Sequence, residues 1–174
     1  MADSKEVIEA RENSNNKEFF KQCVKTMPLL IEWANDEIRD DKEIILDAVK
    51  VDGGALEFSS ARLKDDKDIL LEAVSQAGWT GCYASERLRG DKDVIIAAVK
   101  NDGQVLYYAS EELRDDKDVV ITAVKNKPII LKYASLRLRR DKDVAIAALE
   151  GSKKAFEFVD DTLKKDEDIL KLIS

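Results

Sequence analysis

Histidine is absent from this chain of 174 residues, and cysteine occurs only at Cys23 and Cys82. Without histidine the protein lacks the commonest general base near neutral pH, the nucleophilic triads built on it, and most zinc and haem ligand sets. One cysteine holds an inward position of the repeat described below and the other an outward position, which supports neither a disulfide framework nor a metal site. We therefore expect no enzymatic activity, no metal and no cofactor.

Long apolar runs are also absent. No segment approaches the roughly 18 uninterrupted apolar residues that a membrane-spanning helix needs, and the stretch from Met1 to Asn16 is too polar for a secretory signal. No glycine-rich phosphate loop occurs in the sequence. These observations favour a cytoplasmic protein with no membrane partner.

What the chain contains instead is a repeat with a period of 25 residues. A triplet of charged or polar residues, most often Asp-Lys-Asp, recurs with its first residue at Asn16, Asp41, Asp66, Asp91, Asp116, Asp141 and Asp166. Six complete repeats follow, at 16–40, 41–65, 66–90, 91–115, 116–140 and 141–165, between a leader at 1–15 and a half repeat at 166–174. A fixed period of this length indicates a solenoid or another repeat array.

Each repeat predicts its own helices. Position 1 is always an aspartate or asparagine, which are good helix N-caps, and apolar residues follow at positions 4, 5, 8 and 9. Position 13 is glycine or proline in five repeats, which predicts that the first helix ends there, because glycine permits a left-handed residue after a helix and proline cannot continue one. A shorter second helix is expected to bury positions 15, 16, 18 and 19, and an N-cap at position 20 to open a single turn that buries position 23.

Because one repeat holds too few apolar residues for a core, neighbouring repeats must bury each other's faces. The sequence therefore predicts an all-α fold, an α-solenoid of six 25-residue repeats plus a C-terminal half repeat, as a single domain over 16–174. The leader is expected either to cap the first repeat with Val7 and Ile8 or to fray. The half repeat is expected to close the C-terminal end.

The motif itself is familiar. The stretch DKDVIIAAVKNDGQVLYYASEELRDDKDVV, with its Ala-Val-Lys, Leu-x-Tyr-Ala-Ser and Leu-Arg-x-Asp landmarks, resembles the tandem repeat family called domain of unknown function 4116. The resemblance covers 16–174 and is strongest in repeats two to five; Lys21 and Lys153 depart from the pattern. It implies helical repeats and no established activity.

Charged residues recur in columns. The acidic positions 1 and 3 could cap helices or bind a divalent cation, and capping is favoured because calcium loops need more oxygen ligands on an irregular turn. Basic residues at positions 2 and 24, among them Arg89, Arg114 and Arg139, could form ladders along a nucleic-acid backbone. We expect neighbouring repeats to share these charges instead, because the chain has a net charge of −7.

Positions 14, 17 and 21 define an outer stripe that we expect to bind a partner, since apolar and aromatic residues with a charged rim are typical of interfaces. Its members in repeats three to five are Trp79, Cys82, Glu86, Tyr107, Glu111, Ile129, Lys132 and Leu136. The apolar members would be anchors, and the charged ones would set register. Two alternatives are that Trp79 and Ile129 fold into the repeat junctions, or that the stripe serves self-association.

The leading hypothesis is a non-enzymatic interaction scaffold that binds a protein or peptide, with a monomer favoured. The alternatives are a nucleic-acid-binding adaptor that uses Arg89, Arg114 and Arg139, and a structural spacer in which no surface matters.

Overall fold

The computed structural model describes residues 4–174, and all regular structure in this range is helical. The predicted all-α class is confirmed. The chain divides into two compact units, Met1–Ser85 and Glu86–Ser174, which we call the N-terminal half and the C-terminal half. The boundary falls inside the third repeat, and a single domain over 16–174 stays a prediction.

The first helix of each repeat begins one residue after the predicted N-cap. Its bounds are Lys17–Cys23, Lys42–Val51, Lys67–Gln76, Lys92–Asn101, Lys117–Asn126 and Lys142–Gly151, with Glu167–Ile173 in the half repeat. In every case the N-cap side chain accepts a hydrogen bond from a backbone N–H of the first turn. The capping function predicted for position 1 is therefore confirmed along the whole column.

The second helix of each repeat is a 3-10 helix. These segments are Pro28–Trp33, Gly53–Phe58, Gly78–Tyr83, Gly103–Tyr108, Pro128–Tyr133 and Lys153–Phe158. Positions 15, 16 and 19 are buried in repeats two to five as predicted, but the prediction for position 18 is wrong because its side chain is half-buried or exposed in all six repeats. A 3-10 helix turns every three residues, so a pattern read at 3.6 residues per turn misplaces one of the four positions.

The glycines at position 13 are not left-handed, and none of the glycines in the described range has a positive φ. Glycine is needed at this position because a Cβ would have no room. A Cβ on Gly53 would lie 2.5 Å from the carbonyl oxygen of Ala73, and a Cβ on Gly103 would lie 2.5 Å from that of Ala123. The first helix of the following repeat therefore passes against bare backbone.

A one-turn α-helix closes each of the first five repeats. Its bounds are Asp36–Arg39, Ala61–Lys64, Glu86–Arg89, Glu111–Arg114 and Leu136–Arg139. Asn35, Ser60, Ser110 and Ser135 cap these turns as predicted. The residue at position 23 is buried in each of the five, whereas the sixth repeat has only a turn here and its Leu163 is half-buried.

The leader forms a helix at Lys5–Glu12, and its residues 1–3 lie outside the described range. This helix buries Ala10 against the first repeat and holds the Arg11 guanidinium 3.8 Å from the centre of the Trp33 ring. Val7 is half-buried and lines a recess with Leu30 and Trp33 of the first repeat, whereas Ile8 is exposed. At the other end, the half repeat buries Ile169.

Salt bridges link consecutive repeats within each half. The lysine at position 2 reaches the N-cap aspartate of the next repeat, as in Lys42 to Asp66 at 2.6 Å and Lys117 to Asp141 at 2.9 Å. In the C-terminal half the same lysine also reaches the acidic residue at position 3, as in Lys117 to Asp143 at 2.7 Å. Neighbouring repeats therefore share these charges, and the position-2 lysines do not form a free ladder.

Candidate functional site

The stripe residues of the N-terminal half are Trp79 and Cys82. Trp79 is 46% exposed, and its ring lies 5.7 Å from that of Tyr83 in an edge-to-face arrangement. The far edge of the Trp79 ring covers Gly54, which has no side chain to displace it. Trp79 is thus a surface residue with one edge packed, and Cys82 beside it is half-buried.

The C-terminal half carries the remaining apolar stripe residues. Tyr107 is 50% exposed, Leu136 is 47% exposed and Ile129 is 37% exposed. The Tyr107 ring lies 4.8 Å from that of Tyr133, and Lys132 Nζ lies 4.8 Å above the same Tyr133 ring. The apolar stripe residues of repeats four and five therefore lie on the surface, not in the core.

The stripe is built from two elements in each repeat. Positions 14 and 17 lie on the 3-10 helix, where residues three apart lie on the same side. Position 21 is the first residue of the one-turn helix, so Glu86, Glu111 and Leu136 project from a different element. All three are exposed.

Sequence reasoning missed the aromatic column at position 18, which it assigned to the core. Tyr108 is 36% exposed, and its ring lies 4.9 Å from that of Tyr107. A cation from position 24 of the preceding repeat lies near two rings of the column, as in Arg89 near Tyr108 at 5.8 Å. The consistently aromatic residues at this position are the available signal, because the true core columns are aliphatic or small.

The proposed arginine ladder at position 24 is recessed. Arg114 is 31% exposed in its side chain, lies 3.9 Å from Glu111, and has a buried Nε without a hydrogen-bond acceptor. Arg114 and Glu111 line a recess of 270 Å³ with Tyr133, Ala134 and Ser135 of the next repeat. Much of the guanidinium is therefore unavailable to a phosphate backbone.

Repeat five differs from the others in charge. Its 25 residues, 116–140, contain seven lysines and arginines against two aspartates, a net charge of +5 in a chain of −7. Repeat four has three basic and six acidic residues, and repeat six has five basic and six acidic residues. The stripe of repeat five therefore belongs to a basic repeat that is flanked in the sequence by two acidic repeats.

Arg139 differs from the corresponding cations of other repeats in its ion pairing. In repeats one and four the cation at position 24 pairs with an acid at position 21, as in Arg39 with Asp36 at 2.9 Å. Position 21 of repeat five is Leu136, and Arg139 makes no ion pair within the part of the chain that the structure describes. Its Nε is buried without an acceptor.

A second recess, of 550 Å³, lies in the N-terminal half. It is lined by Phe19, Cys23 and Leu30 together with Glu6, Glu9 and Glu18. Burial raises the pKa of the Cys23 thiol to about 11, so this cysteine is a weak nucleophile near neutral pH.

No cluster of metal-ligating side chains occurs among residues 4–174. Over the same range, none of the helices combines the length and the apolar character that crossing a bilayer requires.

Comparison with known proteins gives one family. The family model described as a domain of unknown function (DUF4116) matches residues 16–62, 48–89 and 91–139. These matches cover more than half of the chain and fall on the repeats. No curated protein and no solved structure matches.

Proposed function

The chain belongs to the DUF4116 family of unknown function, and we propose that it is a non-enzymatic protein-interaction module. The observation that carries the proposal is the exposure of three apolar stripe residues, Tyr107, Ile129 and Leu136, in the C-terminal half. Single exposed apolar residues are common on protein surfaces, but a group with a charged rim is typical of binding sites.

Several features support a binding surface here. The Tyr107 and Tyr133 rings pack edge to face at 4.8 Å, so the aromatic part of the surface is fixed before a partner arrives. Each of the three exposed residues lies on an element that also holds a buried core residue: Leu106 with Tyr107, Ile130 with Ile129, and Leu138 with Leu136. A rigid support of this kind reduces the entropy lost on binding.

A nucleic-acid-binding role is less well supported. The position-2 lysines are engaged between repeats, and Arg114 of the alternative ladder is recessed beside Glu111. A spacer role gives no reason for the exposed apolar residues of the stripe. A cytoplasmic location remains a prediction from the sequence.

Affinity capture from the source cells tests the proposal. The native protein is compared with a Tyr107→Ser, Ile129→Ser, Leu136→Ser variant, after circular dichroism has shown that the variant is folded. The control changes three exposed apolar residues of the N-terminal half, Met27, Leu29 and Val51, to serine. A partner that is retained by the native and control proteins and lost by the first variant supports the proposal. A partner retained by all three contradicts it.

A further inference from the structure

We propose that the surface of repeat five recognises an acidic peptide segment that also carries apolar side chains. This inference rests on the proposed function and names the chemistry of its partner. The charge of repeat five is its starting point, because a net +5 within 25 residues is opposite in sign to the chain as a whole.

Only some of these cations are used by the fold. Lys117, Arg137 and Arg140 pair with Asp141, Asp115 and Asp160 respectively. The other four, Lys125, Lys127, Lys132 and Arg139, make no ion pair with any carboxylate between residues 4 and 174. Lys125, Lys127 and Lys132 are therefore available to an acidic partner, whereas Arg139 has a buried Nε and belongs to the recessed column at position 24.

Two of them occupy positions that hold an acid in several other repeats. At position 12, Asp52 and Asp102 cap their 3-10 helices by accepting from the backbone N–H of position 14 at 2.8 and 2.9 Å. Lys127 occupies this position in repeat five, and its 3-10 helix has no side-chain cap. Position 17, which is Glu32, Glu57 and Glu157 in repeats one, two and six, is Lys132 here.

The apolar residues lie within the same repeat. Ile129 and Lys132 are three residues apart on one 3-10 helix, and Leu136 and Arg139 are three apart on the one-turn helix. The 3-10 helix therefore offers an apolar group beside the cation of Lys132, and the one-turn helix adds the exposed side chain of Leu136. A ligand with alternating acidic and apolar side chains complements this arrangement in both charge and polarity.

A long nucleic acid fits the same surface less well. Repeats four and six have net charges of −3 and −1, so a phosphate backbone that continued past repeat five would meet acidic surface. A short acidic peptide can be confined to one basic repeat.

Selection from a displayed library of random peptides on the full chain tests the inference. We expect the enriched peptides to carry a net negative charge together with Leu, Ile, Phe or Trp. Synthetic copies are then titrated by fluorescence polarisation.

The double variant Lys127→Glu, Lys132→Glu should weaken binding by about tenfold or more. The matched control Lys50→Glu, Lys100→Glu changes the net charge equally at exposed sites outside repeat five, and should change affinity by less than about twofold.

The other outcomes separate this inference from the proposed function. Enriched peptides without acidic character that are lost on Ile129→Ser, Leu136→Ser would overturn the inference and leave the proposed function standing. No enrichment, or binding unaffected by those serine changes, would overturn both. Tighter binding of oligo(dT) than of any enriched peptide, with a steep dependence on salt, would replace the inference with nucleic-acid recognition.

Discussion

Individual residues in this protein have two different reasons for recurring. The N-cap at position 1 recurs because every first helix needs acceptors for its free N–H groups. The glycine at position 13 recurs because the next helix passes against it. The sequence predicted the helix end at this glycine correctly, but it assigned the wrong cause, since close approach between repeats is a property of the packed structure.

Gly103→Ala is therefore expected to destabilise the protein. The added Cβ would lie 2.5 Å from a backbone carbonyl oxygen, which cannot move without displacing the helix of repeat five. We expect a loss of about 1–3 kcal/mol in the free energy of unfolding, measured by urea titration.

Gly90→Ala is the matched control. The nearest heavy atom to its added Cβ lies at 3.5 Å, and Gly90 has no positive φ. Reduced entropy of the unfolded chain should then stabilise the protein by about 0.4–1 kcal/mol. Equal effects of the two substitutions would contradict the account of position 13.

The N-cap aspartates make stability depend on pH. Partial burial raises the pKa of Asp116, but the hydrogen bond from Lys92 and those from the backbone N–H groups of Val119 and Asp118 outweigh it, and the pKa is lowered in the folded state. Stability from the ionised carboxylate is therefore present above its unfolded pKa of about 4 and is lost as the pH falls through the lowered pKa.

Asp116→Asn isolates this effect because the asparagine can still cap the helix but carries no charge. The native protein should have the higher melting temperature at neutral pH, and the difference should shrink below about pH 4. Thermal unfolding followed by circular dichroism measures it. A difference that is constant across this range would show that the charge of Asp116 does not contribute.

At the scale of elements, the repeat is a first α-helix, a 3-10 helix and a one-turn helix. Caps and apolar spacing were sufficient to predict the first and third of these. The geometry of the second could not be predicted, because six residues with four apolar positions fit a short α-helix and a 3-10 helix equally well. This uncertainty is why the aromatic position 18, with Tyr108 and Tyr133, was assigned to the core.

Ile129 and Ile130 test the orientation of the 3-10 helix. They are adjacent, yet Ile129 is 37% exposed and Ile130 is fully buried. Ile130→Ala should lower the free energy of unfolding by about 2–5 kcal/mol, whereas Ile129→Ser should lower it by about 1 kcal/mol or less. Urea titration of both variants measures the two losses in free energy of unfolding. A larger loss for Ile129→Ser than for Ile130→Ala would show that the 3-10 helix turns the other face toward the core.

At the scale of the whole molecule, repeat five combines the common interior with an uncommon surface. Its buried residues match those of the other repeats, whereas Lys127, Lys132 and Leu136 replace acids that occur at these positions elsewhere. The excess of positive charge is visible in the sequence. Which cations are paired across repeats, and which apolar residues are exposed, depends on packing and required the structure.

Residues that weaken local structure without serving the core are expected at functional sites. Lys127 leaves its 3-10 helix without the side-chain cap that repeats two, four and six have, and Leu136 leaves Arg139 without an acidic neighbour. If these departures serve binding, reversing them should improve stability while it removes the binding surface.

The most direct measurement is the thermal unfolding of the triple variant Lys127→Asp, Lys132→Glu, Leu136→Glu, which gives repeat five the acids found at these positions in other repeats. A restored cap is worth about 1 kcal/mol, so we expect a melting temperature that is unchanged or higher by roughly 2–4 °C, together with loss of the peptides selected by the native protein. A clearly lower melting temperature would show that the three residues serve the fold, and it would contradict the assignment of repeat five as the binding surface.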